Sequence, residues 1–283
     1  MHKKRDLMIL LAIYAGAYLL GALAAQPHRS LLMQAAVFDF TATVVTFVFS
    51  LVFTNSSVYD AYWSLTPMVM ALWIFAVRKA FGLWQLLFLA AFLLWSVRLT
   101  GNWIGVFTDF SYEDWRYRKF RAENGPVMWF IINFFGIHLV PTIVVFLGML
   151  PLFAIADGAA GPLSIFGVAV MLLGTALEFF ADREMHAHLS SGGVKGTCRE
   201  GLWKFSRHPN YLGEISVWLG TFLAMLPYAP AKWYLVIGFA AVTVLFLAVS
   251  IPLAEKRQLS RRPDYAEYRR TTSCLIPLPP KKG

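Results

Sequence analysis

The chain has 283 residues, of which 58% are hydrophobic and 14% are charged, and its mean hydropathy is +0.58. These values exclude an ordinary soluble domain and predict a polytopic membrane protein. The formal net charge of +9 would suit a nucleic-acid partner, but the basic residues lie in short loops and tails between apolar segments. We therefore expect membrane lipids as partners, and no nucleic acid.

Eight apolar segments come close to or exceed the length of about 20 residues that a helix needs to cross a bilayer. In chain order they cover residues 7–25, 31–54, 59–77, 83–107, 127–156, 163–181, 211–226 and 233–253. The pattern predicts an all-α transmembrane bundle of eight spans, or of seven if one short segment fails to cross. Pro141 is expected to kink the fifth span, because proline removes a helical hydrogen bond. No GxGxxG or P-loop fingerprint occurs, so no Rossmann domain is expected.

Most of the 25 lysines and arginines fall on one side of this predicted bundle. If the N-terminus is cytoplasmic, the opposite side receives Arg29, Arg78, Lys79 and Lys232. Because cytoplasmic loops are enriched in positive charge, the longer polar stretches and the C-terminus are predicted to be cytoplasmic. A soluble cofactor would meet the protein on that face.

Several charged side chains lie inside the predicted spans, where they are rare unless they pair or face a cavity. They are Asp39 in the second span, Asp60 beside Tyr59 and Tyr62 in the third, and Arg98 near Trp95 in the fourth. Asp60 and Arg98 form either a buried structural pair or part of a substrate pocket. Both interpretations remain open from the sequence.

Two polar stretches follow apolar spans on the predicted cytoplasmic side. SYEDWRYRKFR, at 111–121, is either an amphipathic interfacial segment or a phosphate and ribose clamp, with Arg116 on a phosphate and Tyr117 on a base. Glu178, Asp182 and His186 share one helical stripe at the end of the sixth span. Two carboxylates and a histidine at this spacing could bind a metal, but no second stripe is present to complete its ligand shell. We expect this helix end either to carry hydrogen-bonding groups toward a polar cofactor or simply to be solvated.

The stretch at 201–220 reads GLWKFSRHPNYLGEISVWLG. It contains a basic pair, followed by an apolar helix whose first turns carry polar residues. Pro209 suits the first helical position, and Asn210 and Glu214, four residues apart, lie on one helical face. A carboxylate one turn inside an apolar helix is a functional-site hypothesis, and the helix N-terminus beside Arg207 and His208 suits a phosphate. The alternative is a charged interfacial cap with a structural polar pair.

The same stretch resembles the signature of the steroid 5-alpha-reductase-like superfamily, in particular its bacterial branch. LEFFADREMHAH, LLWSVRLTGNW, SYEDWRYRKFR and DYAEYRRTTSCLIPLPP are similar to that branch in order and spacing, so the likeness covers most of the chain from about residue 55. It implies one integral membrane domain over 1–283, with N-terminal helices at 1–55 and a reductase-like core at 56–283. It also implies NADPH as the cofactor, reduction of an activated carbon–carbon double bond in a lipid, and location in the bacterial inner membrane.

The resemblance assigns roles to individual positions. Asn210 and Glu214 match the pair that holds the nicotinamide end, and Arg207 and His208 sit where the motif meets the phosphates. The expected cofactor-binding set is Asn210, Glu214, Arg207, His208, Tyr211, Asp182, Arg183, Arg116, Tyr117 and Arg199. Trp95 and Arg98 fall near the substrate side, and no metal is expected.

Reduction of a conjugated enone needs a fixed hydride donor and a hydrogen-bond donor to the developing enolate oxygen. Tyr62 or Tyr59, assisted by Asp60, is the expected catalytic group for the second role. The Gln–Glu pair of steroid-reducing members is not found, nor are their C-terminal His and Tyr contacts around 253–258. A steroid is therefore not the expected substrate.

A different reaction class is also compatible with the motif. RHPxY followed by a C-terminal acidic motif resembles the isoprenylcysteine and phospholipid methyltransferases, which use S-adenosylmethionine. Those enzymes carry paired glutamates after the last span, whereas Glu255 is followed by Lys256 here. The two cysteines, Cys198 and Cys274, have no metal-ligand spacing and indicate neither a disulfide nor a zinc site.

Overall fold

The computed structural model describes residues 2–190 and 196–281. Helices make up 79% of it, and these residues contain no β-strand. Within them, seven helical segments are long and apolar enough to cross a membrane, namely His2–Ala25, Leu31–Val52, Ser56–Val77, Leu83–Val106, Pro126–Ala156, Ser164–Ser190 and Pro230–Arg261. The predicted fold class, a polytopic helical bundle, is confirmed.

Several of these segments contain more than one helix. In chain order the α-helices are α1 (His2–Ala25), α2 (Leu31–Val52), α3 (Tyr62–Val77), α4 (Leu83–Val106), α5 (Trp115–Glu123), α6 (Pro126–Ile131), α7 (Val140–Ala156), α8 (Ser164–Ser190), α9 (Pro209–Met225), α10 (Ile237–Leu245), α11 (Ile251–Arg261) and α12 (Tyr265–Thr271). Wider π-helical turns, Ile132–Leu139 and Phe246–Ser250, lie directly before α7 and α11. The irregularity of the fifth span therefore lies just before Pro141, where the missing proline N–H interrupts the α-helical ladder.

The chain divides into two compact units, each described here by itself. The first comprises Met1–Phe81 and Ser96–Asp157, and the second comprises Gly82–Trp95 and Gly158–Gly283. In the first unit α1 packs on α2, and α3 packs on α7. Its apolar core includes Leu10, Ile13 and Tyr14 of α1. The division expected at residue 55 stays a prediction.

The second unit is built on the close pairing of α8 with α9. A Cβ atom at Gly174 would lie 2.6 Å from the Gly213 carbonyl oxygen, and one at Gly220 would lie 2.5 Å from the Gly167 oxygen. Because Gly167 faces Gly220 while Gly174 faces Gly213, the two helices run antiparallel. Glycine at these four positions lets the backbones approach to a distance that any side chain would prevent.

Helix α9 has 17 residues, and it is not among the seven segments identified as spans by length and composition. It nevertheless runs alongside α8, which is one of the seven. This pairing places the motif SRHPNYLGE at the end of the second unit where α8 ends and α9 begins. The candidate functional site lies at that end.

Candidate functional site

A cavity of about 760 Å³ lies in the second unit, lined by residues from α8, α9, α11 and α12 and from the segment between α8 and α9. Among the described residues its lining holds four arginines and no carboxylate; the arginines are Arg207, Arg257, Arg261 and Arg262. Aromatic side chains from Trp203, Tyr211, Tyr265 and Tyr268 complete much of the wall. A pocket of this volume, rich in cations and aromatic rings, suits an anionic ligand that contains an aromatic base.

Helix α11 supplies one wall of the cavity. Ala254, Arg257, Gln258 and Arg261 line it, and their spacing of three and four residues places them on one helical face. Arg262 follows directly after the helix and also lines the cavity. This wall was not predicted from the sequence, because positive charge at a helix C-terminus is common and does not by itself indicate a site. The amphipathic spacing from Ala254 to Arg262 was the signal that could have identified it.

The N-terminus of α9 supplies the opposite wall. Arg207, His208, Asn210 and Tyr211, all predicted from the sequence to bind the cofactor, line the cavity together. The rings of His208 and Tyr211 stack in parallel, with their centroids 5.3 Å apart. Pro209 occupies the first helical position, as the motif predicted. The structure thus brings together the four residues around Pro209.

Glu255 of α11 lies behind this wall and organises its charges. The Arg207 Nε–H donates to Glu255 Oε1 over 2.7 Å, and His208 Nε2 lies 3.2 Å from the same oxygen. Arg269 binds the second oxygen, with its Nε 2.9 Å from Oε2. Glu255 is 5% exposed and so needs these partners. Its carboxylate neutralises much of the Arg207 charge and leaves less of it for a ligand.

The ligand-type atoms of His208, Glu255 and Cys274 lie within 4.8 Å of one another, a grouping that could hold a metal ion. However, Arg207 and Arg269 each occupy one oxygen of Glu255. Two guanidinium groups within 2.9 Å of the carboxylate oxygens repel a metal cation. The cluster is better described as an ion-pair centre that ties α11 to the start of α9.

Residues of the motif also fasten the C-terminal segment. The Ser206 hydroxyl donates to the Leu275 carbonyl oxygen over 2.8 Å, and the Arg207 backbone N–H donates to the Ser273 oxygen over 2.9 Å. The Tyr268 hydroxyl donates to the Trp203 carbonyl oxygen over 2.6 Å. Much of the motif therefore builds the wall of the cavity by holding the chain that follows α12.

Glu214 does not line the cavity, although it lies one turn after Asn210. Its carboxylate is 2% exposed and accepts two indole hydrogen bonds, from Trp95 Nε1–H over 2.8 Å and from Trp218 Nε1–H over 2.9 Å. The two indole rings meet edge to face. Trp95, expected on the substrate side, is thus fully buried and serves as a partner of Glu214. Nothing in the sequence links Trp95 to Glu214, which lies 119 residues away.

Three further residues of the expected cofactor set lie outside the lining of the cavity. Asp182 is half-buried and Arg183 exposed on α8, whereas Met185 and Leu189 of that helix line the cavity. Arg199 donates to the Asp264 carbonyl oxygen over 2.9 Å and to Glu267 over 3.0 Å. Burial acts to raise the pKa of Asp264, but hydrogen bonds from Thr197 and the nearby Arg199 charge lower it below its ordinary value.

The remaining expected residues lie in the first unit. The Tyr117 hydroxyl donates to Asp60 over 2.9 Å, and the Arg116 Nε–H donates to Asp114 over 2.8 Å. Tyr62 donates to Asp39 over 2.9 Å, so its carboxylate partner is Asp39 and not Asp60. Arg98 is half-buried on α4.

Tyr59 and Tyr62 also border a small cavity in the first unit. The Tyr59 hydroxyl lies 2.8 Å from the Thr142 hydroxyl, and the two tyrosine rings stack with centroids 5.2 Å apart. The cavity has a volume of about 10 Å³, close to the minimum for one water molecule. Both tyrosine hydroxyls therefore have partners in the structure, Thr142 for Tyr59 and Asp39 with Thr43 for Tyr62. Their expected role as donors to an enolate oxygen stays a prediction.

Comparison with known proteins adds a family and a relative. The model of the family described as "Protein of unknown function (DUF1295)" matches residues 46–272, and this family is related to steroid 5-alpha-reductase-like proteins. An uncharacterized protein of the fission yeast Schizosaccharomyces pombe is 24% identical over 255 residues, which cover 79% of this chain and 73% of the relative. No solved structure matches the chain significantly.

Proposed function

The chain belongs to the DUF1295 family, and from that premise we propose that it is a membrane reductase that uses NADPH to reduce an activated carbon–carbon double bond in a lipid. The observation that carries the proposal is the cavity of about 760 Å³ between α9 and α11, lined by four arginines. The site residues Arg207, His208, Asn210 and Tyr211 belong to this cavity, and the resemblance associates the same positions with the cofactor.

Charge favours NADPH over S-adenosylmethionine as the ligand. NADPH carries several phosphate groups, whose negative charge the arginine side chains match in sign and in hydrogen-bonding geometry. S-adenosylmethionine carries a sulfonium and an ammonium cation against a single carboxylate, so its net charge is positive. A cavity whose described lining holds four arginines and no carboxylate opposes such a ligand. The Glu255 carboxylate, which a sulfonium or ammonium ligand would need, is already bound by Arg207, His208 and Arg269.

Bound NADPH would supply a hydride, and the chain would supply its position. Asn210 would hold the cofactor by amide hydrogen bonds, and Tyr211, stacked on His208, would offer an aromatic surface to a base. Glu214 would act behind them, since its two indole partners fix the first turns of α9 on which Asn210 stands. We place the mouth of this cavity and the C-terminus on the cytoplasmic side of a bacterial inner membrane, because the basic stretches gather there.

The proposal is tested by the thermal stability of the purified protein in detergent. A ligand that binds the folded state at 100 times its Kd stabilises it by about 2.7 kcal/mol. NADPH should raise the melting temperature of the wild type, and S-adenosylmethionine should not. Asn210→Ala should keep its fold and lose much of the NADPH effect. Stabilisation by S-adenosylmethionine with none by NADPH would instead identify a methyltransferase.

A further inference from the structure

Two arginines of the cavity have no salt-bridge or hydrogen-bond partner among the residues that the structure describes. Within residues 2–190 and 196–281, the guanidinium groups of Arg261 and Arg262 form neither a salt bridge nor a hydrogen bond, although both line the cavity. Arg207 differs from them, because Glu255 binds it at 2.7 Å and two backbone carbonyls accept from its Nη1. The full positive charge of Arg261 and Arg262 is therefore available to a ligand.

The position of this arginine pair makes the charge significant. Arg261 is the last residue of α11, and Arg262 follows it with extended backbone angles. The carbonyl groups at a helix C-terminus repel anions, so the peptide backbone of α11 gives an anionic ligand no help there. The attraction at this end of α11 must therefore come from cationic side chains such as these two guanidinium groups. Two adjacent forked donors fit a phosphate monoester, which carries up to two charges and three acceptor oxygens.

We infer that Arg261 and Arg262 bind the 2′-phosphate of the dinucleotide and make the cavity selective for NADPH over NADH. This inference rests on the proposed function and assigns its cofactor specificity to two residues. The 2′-phosphate is the only group that distinguishes the two dinucleotides, so the arginine pair acts on NADPH alone. Arg207, whose charge Glu255 balances, discriminates less because it meets groups that both dinucleotides share.

The test measures the Kd of NADPH, NADH and 2′,5′-ADP for the full-length protein in detergent. The variants are Arg261→Gln, Arg262→Gln and the double variant, each compared with Lys256→Gln. Lys256 is a matched control, since it is an exposed cation of α11 that does not line the cavity. Each arginine variant should raise the Kd of NADPH and of 2′,5′-ADP by about 10- to 100-fold, the usual range for loss of hydrogen bonds to a charged group. The Kd of NADH should change by less than about threefold. Lys256→Gln should leave all three ligands unchanged.

A double lysine variant distinguishes the contribution of charge from that of the guanidinium geometry. Arg261→Lys with Arg262→Lys keeps both charges and loses the planar fork, so it should restore part of the NADPH affinity that the glutamines lose. Helicity and melting temperature without ligand confirm that each variant folds.

Three results would overturn the inference. Equal losses for NADPH and NADH would assign the arginines to groups that both dinucleotides share. Unchanged affinities would mean that the arginines meet another partner, such as an anionic lipid headgroup, and would leave the reductase proposal intact. A wild type that binds neither dinucleotide would reject the proposed function together with the inference.

Discussion

At the scale of single residues, Glu214 is buried and bound by two tryptophan side chains, and it does not line the cavity. Both oxygens of its carboxylate accept an indole N–H, from Trp95 and from Trp218. A glutamine in its place offers one acceptor oxygen and one NH2 group, so one indole would face another donor. Leaving a buried donor unsatisfied costs about 1–3 kcal/mol.

Glu214→Gln is therefore expected to lower the melting temperature. The same substitution at an isolated buried carboxylate would instead leave the stability unchanged or raise it, because it removes the cost of desolvating the charge. In the Glu214→Gln background, Trp218→Phe should lower the stability by less than it does in the wild type, because it removes an indole N–H that can face the glutamine NH2 group. The measurement is a double-mutant cycle on thermal unfolding in detergent. Additive effects of the two substitutions would contradict the arrangement of two indoles around one carboxylate.

Cys198 offers a second test at this scale, because it lines the cavity while Cys274 does not. Burial raises the pKa of the Cys198 thiol, so little of the reactive thiolate exists at neutral pH. In a Cys274→Ser variant we expect slow labelling by a maleimide at pH 7, faster labelling as the pH rises, and protection by saturating NADPH. The matched Cys198→Ser variant should show no such protection of Cys274. Labelling of Cys198 at the same rate with and without NADPH would place the cofactor elsewhere.

At the scale of elements, the pairing of α8 and α9 depends on glycines in contact. A Cβ atom at Gly174 would lie 2.6 Å from the Gly213 oxygen, whereas one at Gly16 of α1 meets nothing within 4 Å. Gly174→Ala must push the helices apart and should destabilise the protein by about 1–3 kcal/mol. Gly16→Ala should be neutral or stabilising, since alanine is the better helix former by about 1 kcal/mol.

Thermal unfolding of the two variants, with helicity measured in parallel, checks this difference. Because α9 also carries Asn210 and Tyr211, Gly174→Ala should weaken NADPH binding as well. Equal stability of the two variants would mean that α8 and α9 do not approach as closely as the structure shows.

The elements also explain what the sequence could and could not predict. Apolar segments of about 20 residues predicted the spans, and the motif around Pro209 predicted four residues that line the cavity together. The wall formed by α11 was not predicted, because the face of α11 that meets the cavity depends on how the helix packs. Glu255 sets this packing through ion pairs with Arg207 and Arg269. The partners of Glu214 were missed for a similar reason, since only the packing of α4 on α9 brings Trp95 to it.

At the scale of the whole molecule, the expected membrane topology depends on whether α9 crosses the membrane. Seven segments qualify as spans by length and composition, which alone would put the two termini on opposite sides. Because α9 runs antiparallel beside α8, we expect it to return the chain across the membrane and to make the number of crossings even. We expect reporters fused before Met1 and after Gly283 to be active on the same, cytoplasmic side. Activity of the two fusions on opposite sides would show that α9 does not cross.

We propose that the arginine-lined cavity between α9 and α11 holds NADPH. The most direct measurement is energy transfer from protein tryptophan to added NADPH, since Trp203 lies in the wall of the cavity. Purified wild-type protein should give a saturable transfer signal that 2′,5′-ADP competes away and S-adenosylmethionine does not. Trp203→Phe should reduce the signal at saturating NADPH. A signal that S-adenosylmethionine displaces, or no saturable signal in a folded protein, would show that this cavity does not hold NADPH.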